Sequence, residues 1–216
     1  MPESTRNLLR AGFLAGPLYL IVGYAQGFLR EGFDFRRHAL SQLTNGEMGW
    51  IQTANFVLTG LLILAGAVGV RRVLKGQRAG TAGPILLAIF GLGILAAAAF
   101  PADPGNGFPP GTPEAAEMTQ TGMMHFMVAG IAFYAIIIAS FVFAARYAKL
   151  GRTGWAVASA VIGLFFLISF SAIATGSSSP LLIPGLYLGV TAILLWHSAL
   201  HRDMERRETS DVRRKP

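Results

Sequence analysis

Residues 131–145 read IAFYAIIIASFVFAA, fifteen positions with no charge, no proline and no alternation of polar with apolar side chains. A strand of a closed membrane barrel would alternate and end after about 10 residues. This run does neither, so it is helical. Extended to Gly122–Ala145, it passes the roughly 20 apolar residues that a helix needs to cross a hydrocarbon core. Working outward, five further runs obey the same rule: about Ala11–Leu29, Trp50–Val70, Gly83–Phe100, Trp155–Thr175 and Leu181–Leu200. Pro84 falls in the first turn of the third, where no helical hydrogen bond is lost. The expected fold is an all-α membrane protein, a six-transmembrane-helix bundle. Residues 11–200 form the transmembrane domain, 1–10 a short tail and 201–216 a basic tail.

Composition agrees. Of 216 residues, 53% are hydrophobic and 13% charged, about half the ~25% charge that covers an ordinary soluble domain. Mean hydropathy is +0.51. Cysteine is absent, which excludes disulfides, thiolate metal sites, iron–sulfur clusters and cysteine nucleophiles. A pI near 10.4 suggests nucleic acid at first sight, but the charges lie in short clusters between apolar runs. The N-terminal tail, Arg71–Ala82, Arg146–Thr153 and the residues after Leu200 hold 15 of the 18 Lys and Arg, with five acids. The other loops hold three basic residues and six acids, so +10 faces −3. With an even number of spans, this bias places both termini in the cytoplasm. The basic charge then needs no nucleic-acid partner.

The expected location is the plasma membrane of a bacterium or archaeon, with membrane lipids as partners. Arg6 and Arg10 precede the first span, but no small-residue cleavage site follows, so that span reads as a retained anchor. Arg206, Arg207, Arg213, Arg214 and Lys215 either meet anionic headgroups or form a solvated tail that sets topology. Gly12 and Gly16, Gly23 and Gly27, and Gly185 and Gly189 are spaced four apart and mark close-packing seams inside the bundle.

Polar side chains beside apolar spans are costly, and here they gather on one expected face, the outer one. The first outer loop carries His38 and Ser41, and the second carries Asp103 between Pro101 and Pro104. His125 opens the fourth span, while Gln52 and Asn55 stand three apart at the start of the second. Three uses are open to His38, Ser41, Asp103 and His125. They could form an acid–base site in which Asp103 orients a histidine that activates Ser41 or water. His38, Asp103 and His125 could instead ligate zinc, the only cofactor such a set suggests. The same residues could simply pin loops and helix ends. Asp103 is expected to meet His38, His125 or an arginine, above all Arg37, with Ser41 in the same pocket and Asn55 facing it.

Arg30, Arg36 and Arg37 are the only basic residues on that side. They suit a lipid phosphate, or pairing with Glu31, Asp34, Glu114 or Glu117. His197 and His201 form an H-x₃-H pair, expected at the inner interface, with Asp203 the nearest further ligand. No Walker A, dinucleotide fingerprint, HExxH or GxSxG motif is present. Mid-span charges are also missing, which disfavours a small-solute transporter.

Phe33-Asp34, Arg37-His38-Ala39-Leu40-Ser41 and Gly49-Trp50-Ile51-Gln52-Thr53-Ala54-Asn55-Phe56 resemble the first signature of the "domain of unknown function 998" membrane proteins. Phe100-Pro101-Ala102-Asp103-Pro104, Gly107-Phe108-Pro109-Pro110-Gly111 and His125 resemble the second. The resemblance spans about residues 12–200. It implies a bacterial or archaeal six-helix membrane protein and supplies no reaction. A looser likeness is to membrane hydrolases of the ceramidase and adiponectin-receptor type, which combine Ser, Asp and an H-x₃-H pair. Here His197 and His201 are expected on the face opposite Ser41 and Asp103, and six spans stand in place of seven. The function expected is that of a multi-pass membrane protein binding lipid or a partner at its outer face. The alternative is an outer-leaflet lipid hydrolase or transferase.

Overall fold

The computed structural model describes residues 1–115, 117–173 and 179–213, the side chains of 209–213 excepted. The expected end of the fifth span at Thr175, part of the loop that follows it, and Arg214 and Lys215 lie outside the described residues. Six helices account for most of the rest: α1 Glu3–Leu29, α2 Gly49–Val73, α3 Ala82–Ala99, α4 Gln120–Lys149, α5 Thr153–Ile173 and α6 Leu182–Arg213. All six are long and apolar enough to cross a membrane. Among the described residues there is no strand, only an isolated bridge between Gly105 and Phe108.

Each helix packs on its neighbours in the chain, and α6 returns to α1, so the six close into a ring. Helices that cross a membrane in succession alternate in direction, and the long α1–α2 and α3–α4 loops meet through His38–Asn106 and Arg37–Glu114. The α1–α2, α3–α4 and α5–α6 connections therefore share one end, called here the loop end. Both termini and the other two connections share the opposite end.

Two helices outrun their apolar stretches. α1 begins at Glu3, and α6 continues as helix beyond Leu200. Hydropathy marks only the part that suits hydrocarbon, whereas helical hydrogen bonding continues wherever the polar extension finds partners. For α6 these are ionic. Arg10 and Arg202 each bond Glu205 at 2.7 Å. Arg152 grips Asp203 through two bonds of 2.6 and 2.7 Å, and the Tyr147 hydroxyl donates to the same carboxylate. The Asp203 bonds raise the Arg152 pKa above its ordinary value. Its guanidinium also lies over the rings of Tyr147 and Trp155, 4.7 and 5.3 Å from their centroids. This clasp ties α6 to α1, α4 and α5.

The glycine seams divide by partner. Gly12 of α1 meets Gly66 of α2 and His201 of α6, and Gly16 meets Ser198 and the Leu194 carbonyl. Gly189 admits Ser169 and Phe166 of α5, while Gly185 is less crowded. Gly23 and Gly27 admit no helix. They face Leu40, Phe33 and Phe35 of the α1–α2 loop, which folds inward over the loop end.

Candidate functional site

The α1–α2 loop is held by aromatic packing. Phe33 sits 5.3 Å from Phe35 and 5.1 Å from Phe108, both edge to face. His38 is 5.4 Å from both Phe33 and Phe108 and is almost fully buried. Its Nδ1 accepts from the Asp34 N–H at 2.8 Å, and its Nε2 lies 2.9 Å from the Asn106 carbonyl. A carbonyl can only accept, so Nε2 carries the proton and the ring is neutral. Both nitrogens are thus engaged in joining the first loop to the second. The Tyr187 hydroxyl of α6 donates to the His38 carbonyl at 2.8 Å and ties this junction to the bundle.

The three arginines of the loop are engaged as well. Arg30 donates to the carbonyls of Leu43 at 3.1 Å and Asn45 at 2.6 Å, at the end of a 3₁₀ turn over Leu40–Thr44. It also lies over the Phe108 ring, and partial burial lowers its pKa. Arg36 chelates Asp34, whose carboxyl is drawn down to about 2 by those side-chain hydrogen bonds. Arg37 pairs with Glu114 of the second loop. Arg36 and Arg37 thus pair with acids of the loops, while Arg30 is taken up by backbone carbonyls.

Asp103 does not take the partners expected of it. Its carboxylate accepts from the Thr119 N–H at 2.9 Å and the Thr119 hydroxyl at 2.5 Å. Thr119 is the N-cap of α4, and its hydroxyl oxygen accepts from the Gly122 N–H. A Cβ at Gly122 would overlap the Asp103 carboxylate, so glycine here makes room for the acid. The physical reason is proximity to a helix N-terminus, whose free N–H groups and dipole favour a carboxylate without any cationic side chain. Among the described residues neither histidine nor any arginine hydrogen-bonds Asp103.

His125 is buried one turn into α4, and its Nδ1 lies 2.7 Å from the Phe100 carbonyl at the end of α3. That bond puts the proton on Nδ1 and leaves the lone pair on Nε2 in the neutral ring. The residue lines a cavity of about 310 Å³ inside the ring of helices. Its deep wall is Phe56, Ile94, Phe133, Phe170 and Val190, one or more side chains from each of α2 to α6. Its rim, at the loop end, is Arg37, Ser41, Gln42, Asp103, Asn106 and His125. The half-buried Ser41 hydroxyl makes no hydrogen bond among the described residues. The cavity thus gathers Ser41, Asp103 and His125 on one rim, while His38 lies behind them in the loop junction.

Gln52 and Asn55 turn elsewhere. Gln52 Oε1 accepts from Gln26 of α1 at 2.8 Å and from Asn55 at 3.2 Å, and Asn55 also donates to the Tyr19 carbonyl. Thr59 donates to Asn55 and completes a buried polar seam between α1 and α2. Phe56, one residue on and about 100° round the helix, takes the cavity-facing position instead. Gln26 escaped the sequence reading, although an amide between Gly23 and Gly27 in an apolar span is a signal for such a seam.

His197 and His201 stand toward the end of the bundle opposite the loops, His201 against Gly12 and Gly66. Both are fully buried within the bundle, their rings 4.4 Å apart. His201 donates from Nδ1 to the His197 carbonyl at 2.8 Å. Both His197 nitrogens, His201 Nε2 and Ser198 Oγ find no partner among the described residues. Asp203, the third ligand considered, belongs to the Arg152 clasp. An orphaned buried hydroxyl costs about 1–3 kcal/mol. Ser198→Ala is therefore expected to leave thermal stability in detergent unchanged or raise it by up to about 1 kcal/mol. A loss of more than that amount would show that the hydroxyl has a partner.

Among the described residues no group of three or more His, Asp or Glu side chains is placed to hold a metal ion. His38, Asp103 and His125 in particular share no hydrogen-bond partner.

Six apolar helices closed into one ring define a multi-pass helical membrane protein. Within that class, a family model described as "Protein of unknown function (DUF998)" matches residues 13–201, and the chain belongs to this family. No curated protein and no solved structure matches it.

Proposed function

We propose that the protein binds a single-chain amphiphilic lipid, with the chain in the central cavity and the headgroup at the rim. The cavity carries this reading. Its walls are largely apolar and aromatic, Tyr19 and Tyr187 among them, and its charged, amide and imidazole side chains all come from the loop end. At about 310 Å³ it stands at the small end of the ~300–1,000 Å³ usual for ligand sites, which suits one chain rather than two. The charge asymmetry of +10 against −3 supports an orientation with the loop end outside and both termini in the cytoplasm of a plasma membrane. The rim then opens toward the outer leaflet.

Ala129 of α4 lines the cavity midway down. Purified wild-type protein is expected to carry about one single-chain lipid, read by mass spectrometry of a solvent extract. Ala129→Phe fills the space and should lose that lipid while keeping its helical circular dichroism. An unchanged lipid complement in a folded Ala129→Phe would overturn the reading.

A second reading, lipid hydrolysis or transfer, is favoured by one observation. The Nε2 lone pair of His125 and the unbonded Ser41 hydroxyl line the same cavity. Against it, no hydrogen bond joins Ser41 to His125, and Asp103 orients neither histidine. Binding therefore stands ahead of catalysis.

A further inference from the structure

Resting on the cavity reading above, we infer that the headgroup accepted at the rim is a hydrogen-bond donor, a hydroxyl or a protonated amine, and not a phosphate or carboxylate. Each of the rim's nitrogen donor groups already has a partner within the protein. Arg37 pairs with Glu114, and Gln42 Nε2 points to the Gly105 carbonyl. Asn106 Nδ2 lies 3.5 Å from the Arg37 carbonyl. Just outside the rim, Arg30 is on the carbonyls of Leu43 and Asn45, and Arg36 is on Asp34. The Asn45 amide is on those of Gln42 and Ala102.

The rim's acceptors are different. His125 Nδ1 must donate to the Phe100 carbonyl, which leaves Nε2 with a lone pair on a cavity-lining ring. Asp103 accepts two bonds from Thr119, and a carboxylate has about four lone-pair positions. Asn106 retains its Oδ1. Among the described residues the Ser41 and Tyr19 hydroxyls of the lining make no hydrogen bond, and each can accept as well as donate. Glu114 balances the charge of Arg37, so Asp103 leaves the rim net negative. An anionic head would meet that carboxylate with no free cation beside it. A hydroxyl or an ammonium would meet two or three acceptors.

The test uses the full chain in detergent, stripped of lipid, and four probes of equal chain length: a monoacylglycerol, a primary alkylamine, a fatty acid and a lysophosphatidate. Binding is read by thermal shift and by tryptophan fluorescence titration. The monoacylglycerol, the amine or both should raise Tm by several degrees, and the two anions should not. A response to the monoacylglycerol alone assigns a hydroxyl, and to the amine alone an ammonium. His125→Leu should weaken the responding probe about tenfold, what losing one hydrogen bond to a ligand removes. Ser41→Ala, which breaks no bond of the fold, should weaken it several-fold. Anions that bind as tightly as the neutral or cationic probes, with Ala129→Phe abolishing their binding, would overturn the headgroup assignment and leave the cavity reading standing. Unchanged affinity in both His125→Leu and Ser41→Ala would overturn it too. If none of the four probes binds, the cavity reading falls with it.

Discussion

Gly12→Leu is expected to abolish the folded bundle. A Cβ at Gly12 would already overlap the His201 ring and lie 2.9 Å from the Gly66 Cα, so α1 meets α2 and α6 at one point with no room for any side chain. His201 cannot swing aside easily, because it is fully buried and held to the His197 carbonyl. Nor can Gly66 yield without moving α2. Overpacking a close core contact costs typically 1–3 kcal/mol, and the clash here with backbone on one side and a locked ring on the other puts Gly12→Leu at about 3 kcal/mol or beyond. The measurement is the midpoint of unfolding in mixed detergent, with size-exclusion profile as the first check. Gly130→Ala is the control, since a Cβ there meets nothing within 4 Å. It should match wild type. A Gly12→Leu protein as stable as that control would contradict the packing described for α1, α2 and α6.

His38→Ala has the second largest effect, at the other end of the molecule. It strands the Asp34 N–H and the Asn106 carbonyl, and empties the space between Phe33 and Phe108. Each stranded backbone group costs about 1–3 kcal/mol, and the cavity adds to that, so about 4 kcal/mol is expected. The loss should be local in character. Hydrogen exchange should quicken in residues 30–48 and 101–115 before it quickens in α5 or in the second half of α4. Lipid binding should weaken with it, because Arg37, Ser41 and Asn106 of the rim depend on this junction. If His38→Ala retained wild-type stability, its two hydrogen bonds would not be holding the loops. The outcome also separates His38 from His125. The former joins two loops through both nitrogens, while the latter has one nitrogen directed to a carbonyl and lines the cavity.

The sequence made the six spans legible because burial in hydrocarbon is a sum over residues, and fifteen consecutive uncharged, mostly apolar positions at 131–145 leave one solution. It also marked Gly12 and Gly16 as a close-approach seam, since only small residues stand four apart there. It was less informative about partners. Asp103 is expected to seek a histidine or Arg37, yet its hydrogen bonds go to Thr119 at the N-terminus of α4. Asn55 is expected to face the Asp103 pocket, but together with Gln52 it lies in the α1–α2 seam beside Gln26. The sequence also gives no sign that His197 and His201 are enclosed by other helices, which the packing of α1 and α2 against α6 brings about.

By itself, then, the order of residues determines how many helices there are, where their apolar parts lie and which loops are acidic or basic. Those are local quantities, each fixed by a window of about 20 residues. Only the tertiary structure decides that Ser41, Asp103 and His125 share the rim of a cavity while His38 is locked behind it. That division depends on the rotation of each helix about its axis and on how the first loop folds over Gly23 and Gly27. A turn of about 100° exchanges Phe56 for Asn55 on the cavity wall. Packing between segments distant in the chain settles such a choice, and a window of sequence holds no term for it.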